Sequence, residues 1–292
     1  MLHLFVLASA LAVSVSADCS QDFLRNATQS YVEAQAKGLY TGMTALADNV
    51  TYVENDRPVN IKTGILSQPL KLDYNRSIHD PVLCNTFTEI IVTDPKHPYV
   101  IGTRMESDGS KITKIESLVT DEGDWLFNAT GYAYYNSLEN WEPIPEGQRD
   151  SRAVIKAAGD AYFDRFANEN VSVPYGTPCA RLEGGAYTGG RNLSANTCNL
   201  GLPSTIHVVN RRYVIDEVMG AVDMYLGFPG LDRASRDPTP DSHLFRVEKG
   251  KIRYIHTLST CEGHPGCGLN GTFTPIESQR PPTATPKPPR LA

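Results

Sequence analysis

The sequence predicts an α+β protein made of two tandem domains, each a bent antiparallel sheet packed on helices. Three observations predict it. An amphipathic helical pattern opens each half, over residues 22–37 and 151–168. Short stretches rich in β-branched and aromatic residues, broken by turn residues, follow each helix. Segments also match between the halves: Thr51-Tyr-Val-Glu-Asn with Ala180-Arg-Leu-Glu-Gly, and Glu106-Ser-Asp-Gly-Ser-Lys-Ile with Val247-Glu-Lys-Gly-Lys-Ile. This alignment sets Glu54 against Glu183 and Glu116 against His256, so the two halves carry different chemistry.

In the first helix Phe23, Leu24, Ala27, Tyr31 and Ala34 form one stripe, and Gly38 is a stop. A short helical piece is expected near Met43–Ala47, then a strand from Asn49 to a polar turn at Asp56. Strands are expected over 86–92, 99–106 and 111–119, and Trp125–Ala129 reads as an edge strand or a cover for the core. Residues 136–150 are polar and contain Pro143 and Pro145, which suits a linker. The second helix takes Ser151 as N-cap and sets Val154, Ile155, Ala158, Tyr162 and Phe166 on one face. A loop to Cys198, a β segment over 213–226 and a hairpin over 241–259 complete the second half. The expected boundaries are 18–135 and 151–273, followed by a Pro/Thr-rich tail over 274–292.

Of the 292 residues, 40% are hydrophobic and 21% charged, which suffices for one or two cored domains. A net charge of −6 without a long basic run argues against a nucleic-acid or anionic-membrane partner. Residues 1–17 form a short apolar run ending Val15-Ser16-Ala17, small residues of the kind a signal peptidase reads, so the chain is expected to be secreted. No other stretch approaches a membrane span. Six cysteines in an oxidising compartment imply disulfides, and proximity along the chain favours Cys19–Cys84, Cys179–Cys198 and Cys261–Cys267. Seven sequons, at Asn26, Asn49, Asn75, Asn128, Asn170, Asn192 and Asn270, are candidate N-glycan sites.

The hairpin Asp241–Ser259 carries the candidate chemistry. Glu248–Lys251 supplies its turn. Pairing Val247 with Ile252 would pair Phe245 with Tyr254 and His243 with His256, setting two imidazoles side by side on an apolar wall. His243 and His256 are then an expected acid/base pair, with Tyr254 on the same face and Asp241 sharing their parity as an orienting group. Asp216 shares parity with Val218, Gly220 and Val222 and is expected to be a second inward carboxylate. Glu183 is either catalytic or, like Glu54, a carboxylate that bonds the following loop's amides. The alternative for both histidines is a hydrogen-bonded place at the sheet rim. There is no Cys-x-x-Cys pair, Gly-x-Ser-x-Gly elbow, P-loop or dinucleotide fingerprint, so neither a metal nor a cofactor is expected. Gly184-Gly185 reads as turn glycine.

A helix, a short strand and a bent sheet with the hairpin Phe245-Arg-Val-x-x-Gly-Lys-Ile resemble the NTF2-like, or SnoaL-like, α+β cone fold. With Tyr52-Val-Glu-Asn in one half and Asp241–His256 in the other, the chain resembles an uncharacterised family of secreted fungal proteins over residues 18–272. The resemblance implies a pocket between the concave sheet face and the helices. It leaves the reaction open, because such folds serve cofactor-free isomerases, dehydratases and cyclases as well as binding modules. The expected function is a secreted, cofactor-independent isomerase, dehydratase or cyclase that acts on a small organic metabolite by His-mediated proton transfer. The alternative is a non-catalytic secreted protein that binds a small molecule or a partner.

Overall fold

The computed structural model describes residues 19–232, 235, 237–261 and 265–267. The expected signal peptide, the tail and the Asn270 sequon lie outside the described residues. The six other sequon asparagines are exposed.

In chain order the first half comprises α1 (Gln21–Lys37), β1 (Leu46–Glu54), β2 (Arg57–Pro58), β3 (Tyr74–Asp80), β4 (Asn85–Val92), β5 (Tyr99–Ser107), β6 (Ile112–Thr120) and α2 (Ala129–Asn136). The second comprises α3 (Arg152–Ala167), β7 (Tyr175–Glu183), β8 (Ala186–Tyr187), β9 (Val209–Asp216), β10 (Ala221–Phe228), β11 (Thr239–Glu248) and β12 (Lys251–Ser259). Both long helices start where a serine side chain accepts from the third amide on: Ser20 from Phe23 and Ser151 from Val154. Gly38, at φ 63°, ends α1 in the left-handed conformation.

The strands form two six-stranded sheets, ordered β2-β1-β6-β5-β4-β3 and β8-β7-β12-β11-β10-β9. In each, the first long strand pairs in parallel with the last and all other pairings are antiparallel. One plan is therefore used twice, in an α+β architecture. The three expected disulfides are all present.

Each sheet is apolar on both faces, as its strands' near-continuous burial requires. One face of the first sheet packs on α1 through Ile90, Ile101 and Ile115. One face of the second packs on α3 through Val222, Phe245 and Ile255. The remaining faces meet each other through Phe87, Val100, Leu118, Tyr225, Leu244 and Leu258. The order is helix, sheet, sheet, helix.

Contacts across the sheet–sheet junction are reciprocal, as in a two-fold dimer. Asp80 ends β3; its carboxylate accepts from Val82 N and Leu83 N and, across the junction, from Ile215 N. Asp216 ends β9 and does the same with Val218 N, Met219 N and, across the junction, His79 N. Arg152 adds a two-pronged ion pair to Asp80 at 2.6 and 2.8 Å.

Several local expectations are corrected. Met43–Ala47 is not helical; a 3-10 turn over Tyr40–Gly42 precedes β1. Of the two readings of Trp125–Ala129, the strand is not formed; the segment leads into α2, and its buried Trp125 covers the core. Residues 136–150 join the halves without being a loose linker, since Asn136, Trp141 and Ile144 are buried. The 213–226 segment contains a turn between β9 and β10, so the strand parity used for Asp216 stops at that residue. Val154 is exposed, and Phe163 is buried in its stead.

Asp216→Ala leaves three backbone N–H groups without an acceptor. It is expected to lower unfolding stability by about 3 kcal/mol in denaturant titration, at about 1 kcal/mol for each of these part-buried donors.

Candidate active site

The hairpin that carries both candidate histidines contains a β-bulge. Val247 pairs with Ile252, but Arg246 pairs with Tyr254, Phe245 with Ile255, Leu244 with His256 and His243 with Thr257. Arg253 is the extra residue. Because side chains alternate with period two, one inserted residue sends everything beyond it to the opposite face. His243 faces α3, whereas His256 and Tyr254 face the first sheet. The expected pairing of His243 with His256 is therefore overturned. The first half carries the same bulge at Thr113, between the pairs Ser107–Ile112 and Glu106–Lys114.

His256 is buried in the sheet–sheet junction between two carboxylates. Its Nδ1 lies 2.8 Å from Glu89 Oε1 and its Nε2 2.6 Å from Glu139 Oε2. Arg76 pairs with Glu89 at 2.9 Å, and Tyr132 donates to Glu89 at 2.7 Å. Burial alone would lower the pKa of His256, but Glu89 and Glu139 outweigh it and hold the group up at about 9. Burial likewise opposes ionisation of Glu89, yet His256 and Arg76 bring it down to about 2. An imidazolium fixed on both nitrogens has no lone pair to offer, so His256 joins the halves and is not an acid/base group. Tyr254 is structural too: its ring packs beside Trp141, and its hydroxyl accepts from Asn140 N at 3.4 Å. Asp216 is committed to the junction described above and does not reach the cavity.

The remaining candidates converge. A 460 Å³ cavity opens between the second sheet and α3, a volume within the range of small-molecule sites. Its polar floor comes from three adjacent strands. His243 pairs with Thr257, and Thr257 pairs with Glu183, so these three form one row across β11, β12 and β7. Asp241 pairs with Ser259 in the next row. His243 Nδ1 lies 2.6 Å from Asp241 Oδ1, and Ser259 Oγ donates to the other carboxylate oxygen. The imidazole is thereby oriented edge-on to the Phe163 ring, with centroids 4.8 Å apart. Its Nε2 has no hydrogen-bond partner among the described residues. Thr257 Oγ1 is buried and also lacks a partner.

Arg181 was not among the expected site residues. Its guanidinium donates to Leu200 O at 2.6 Å and to the Tyr162 hydroxyl at 3.4 Å, and its Nε lies 3.3 Å from Glu183 Oε1. Glu183 is thus held as a counter-charge on the cavity floor. Glu54, its counterpart, bonds a loop amide as expected, accepting from Ile65 N and from the Tyr52 hydroxyl. Burial pushes the Tyr162 phenol up to about 12, only partly offset by Arg181, so it stays protonated. Accepting from Arg181 leaves its own hydrogen available to donate.

Phe166, Leu202, Ile206, Phe228 and Leu231 make the apolar wall, and Trp125 of the first half completes it. Trp125 arrives on a strap whose N–H donates to Ser259 O, and Asn128 N donates to Gly184 O. Gly184, at φ 58°, admits that strap: a Cβ there would sit 2.0 Å from Trp125 O. Gly184-Gly185 serves the turn and this close approach together, and the approach could not be read without the strap.

The first half has no equivalent cavity chemistry. The shared bulge sets Thr103 in the place of His243 and Ser117 in that of Thr257. Tyr31 closes this space, its hydroxyl 2.7 Å from Thr103 Oγ1, which lies 2.9 Å from Ser117 Oγ. Among the described residues, no group of three His, Cys, Asp or Glu side chains is placed to share a metal ion.

A family model for a domain of unknown function, DUF8021, matches residues 148–259, the half that carries this cavity. No curated protein and no solved structure matches the chain. Among the described residues no helix is long and apolar enough to cross a membrane.

The His256 cluster sets a pH dependence. The histidine's folded pKa of about 9 exceeds its ordinary 6.5, so its contribution is full below pH 6.5 and is lost as pH rises through 9. Glu89, at about 2 against an ordinary 4.5, contributes fully above pH 4.5 and loses its share as pH falls through 2. Unfolding free energy, followed in denaturant from pH 5.5 to 9.5, is expected to fall by about 3 kcal/mol at the alkaline end.

Proposed function

We propose that the protein is a secreted, cofactor-independent enzyme of the isomerase, dehydratase or cyclase type that moves a proton on a small organic molecule. The observation that carries this reading is the Asp241–His243 pair: a 2.6 Å contact at Nδ1 on the floor of a 460 Å³ cavity, with Nε2 left for a substrate. The tandem six-stranded sheets, each packed on a helix, support an NTF2-like assignment for each half, and the apolar N-terminal run and the sequons support secretion as a glycoprotein.

His243 Nε2 takes a proton from the substrate, and the imidazolium so formed is stabilised by Asp241, which also fixes the ring's orientation. The hydroxyls of Thr257 and Tyr162 donate to the oxygen on which negative charge develops. Returning the proton to a second atom gives isomerisation or ring closure; giving it to a departing hydroxyl gives dehydration. Arg181 and Glu183 neutralise each other beside this centre and hold Tyr162 in place.

The test is a comparison of compounds retained and released by the wild type, His243→Asn and Asp241→Asn, followed by mass spectrometry. Wild type is expected to return a ligand of altered structure, and both variants to slow that conversion by about 100-fold or more. Wild type that binds and releases an unchanged compound would sink the enzyme reading and leave a non-catalytic small-molecule carrier.

A further inference from the structure

A second cleft, of 330 Å³, lies on the other side of the Trp125 strap. It shares that wall with the cavity, because Asp124 precedes Trp125 and Thr260 follows Ser259. Glu54, Asp121 and Asp124 line it, together with Asn55, Tyr99 and Thr260, and none of its lining residues is Lys, Arg or His. Thr260 is 1% exposed, and its Oγ1 has no hydrogen-bond partner among the described residues. A buried hydroxyl left unpaired beside carboxylates that, among the described residues, share the cleft with no positive side chain is an incomplete arrangement.

We propose that this cleft binds a protonated primary amine, through Asp121, Asp124 and the Thr260 hydroxyl. An ammonium group presents three diverging donors and no acceptor, which suits three acceptors set around a cleft. A calcium ion needs six to eight oxygens converging at about 2.3–2.6 Å, and these side chains are not grouped that way. Asp124 already accepts from Asp121 N and Cys261 N, which fixes its carboxylate while leaving lone pairs for a ligand. Burial holds Asp124 up at about 6 and raises Asp121 as well, with the neighbouring acids adding to both. Among the described residues, the titratable groups around Asp124 are Asp121, Glu54 and Tyr99, with Glu122 acting on Asp121. All are acidic, so amine affinity rises as pH climbs past about 6.

The experiment is calorimetric titration of the full protein with 1,5-diaminopentane, with N-acetyl-lysine methylamide, and with 1,5-pentanediol as the uncharged control. Both amines are expected to bind and the diol to be silent. Asp121→Asn and Thr260→Val are each expected to weaken the amines at least five-fold while unfolding at or above the wild-type temperature. Tighter binding of the lysine derivative would assign the site to a lysine side chain of a protein partner, and tighter binding of the diamine to a free amine. Absence of amine binding, affinities unchanged in both variants, or calcium displacing the amine from these residues would overturn the proposal. None of these outcomes depends on turnover at His243.

Discussion

The one-residue bulge at Arg253 is the constraint on which the rest of the site depends. It lies in the turn-proximal part of the hairpin, yet it decides the face of every side chain from Tyr254 onward. Without it, His256 would stand beside His243 on the cavity face, and Glu89 and Glu139 would lose the imidazole that bridges them in the junction. With it, one imidazole is committed to each face of the sheet. The matching bulge at Thr113 shows that this belongs to the repeated plan: Glu116, which takes the place of His256, also faces the junction and pairs there with Arg104.

The junction explains why two such similar halves remain in one chain. Each sheet has two apolar faces, and its helix covers only one. The other faces cover each other, with ionic groups among the apolar side chains. Burying charges is costly unless each is paired and hydrogen-bonded. Here Arg76, Glu89, His256 and Glu139 provide two positive and two negative charges, with Trp141, Tyr132 and Asn136 donating to or accepting from them. Asp223 follows another route: burial pushes its carboxyl well above the ordinary range, and it accepts from the Ser242 hydroxyl. In the first half Tyr31 fills the space that the cavity takes in the second, and Trp125 of the first half lines its neighbour's cavity.

Much of the fold was legible because it is local. The Ser151 cap, the Gly38 stop, the strands rich in β-branched and aromatic residues and the glycine turn all declare themselves within a few residues, and the disulfides join cysteines in chain order. The Asp241–His243 pair was legible for the same reason, since both residues lie on one strand upstream of the bulge. What was not legible depends on distant partners. Bulges have no sequence signature without the opposing strand. The carboxylates that claim His256 lie 167 and 117 residues away. Glu183 could be set in a row with His243 only once the parallel β7–β12 pairing was known. Helix α2, rich in tyrosine and buried on several sides, shows no single apolar stripe.

The central claim is that the two hairpin histidines lie on opposite faces, one reachable from a cavity and one locked between carboxylates. The most direct measurement is carbethoxylation of the folded protein with diethyl pyrocarbonate, mapped by peptide mass spectrometry, since the reagent needs a neutral, reachable imidazole nitrogen. The account predicts that His243 is modified, more slowly in the presence of a cavity ligand, and that His256 becomes reactive only after unfolding. Equal reactivity of the two histidines in the folded protein, or reaction at His256 alone, would contradict it.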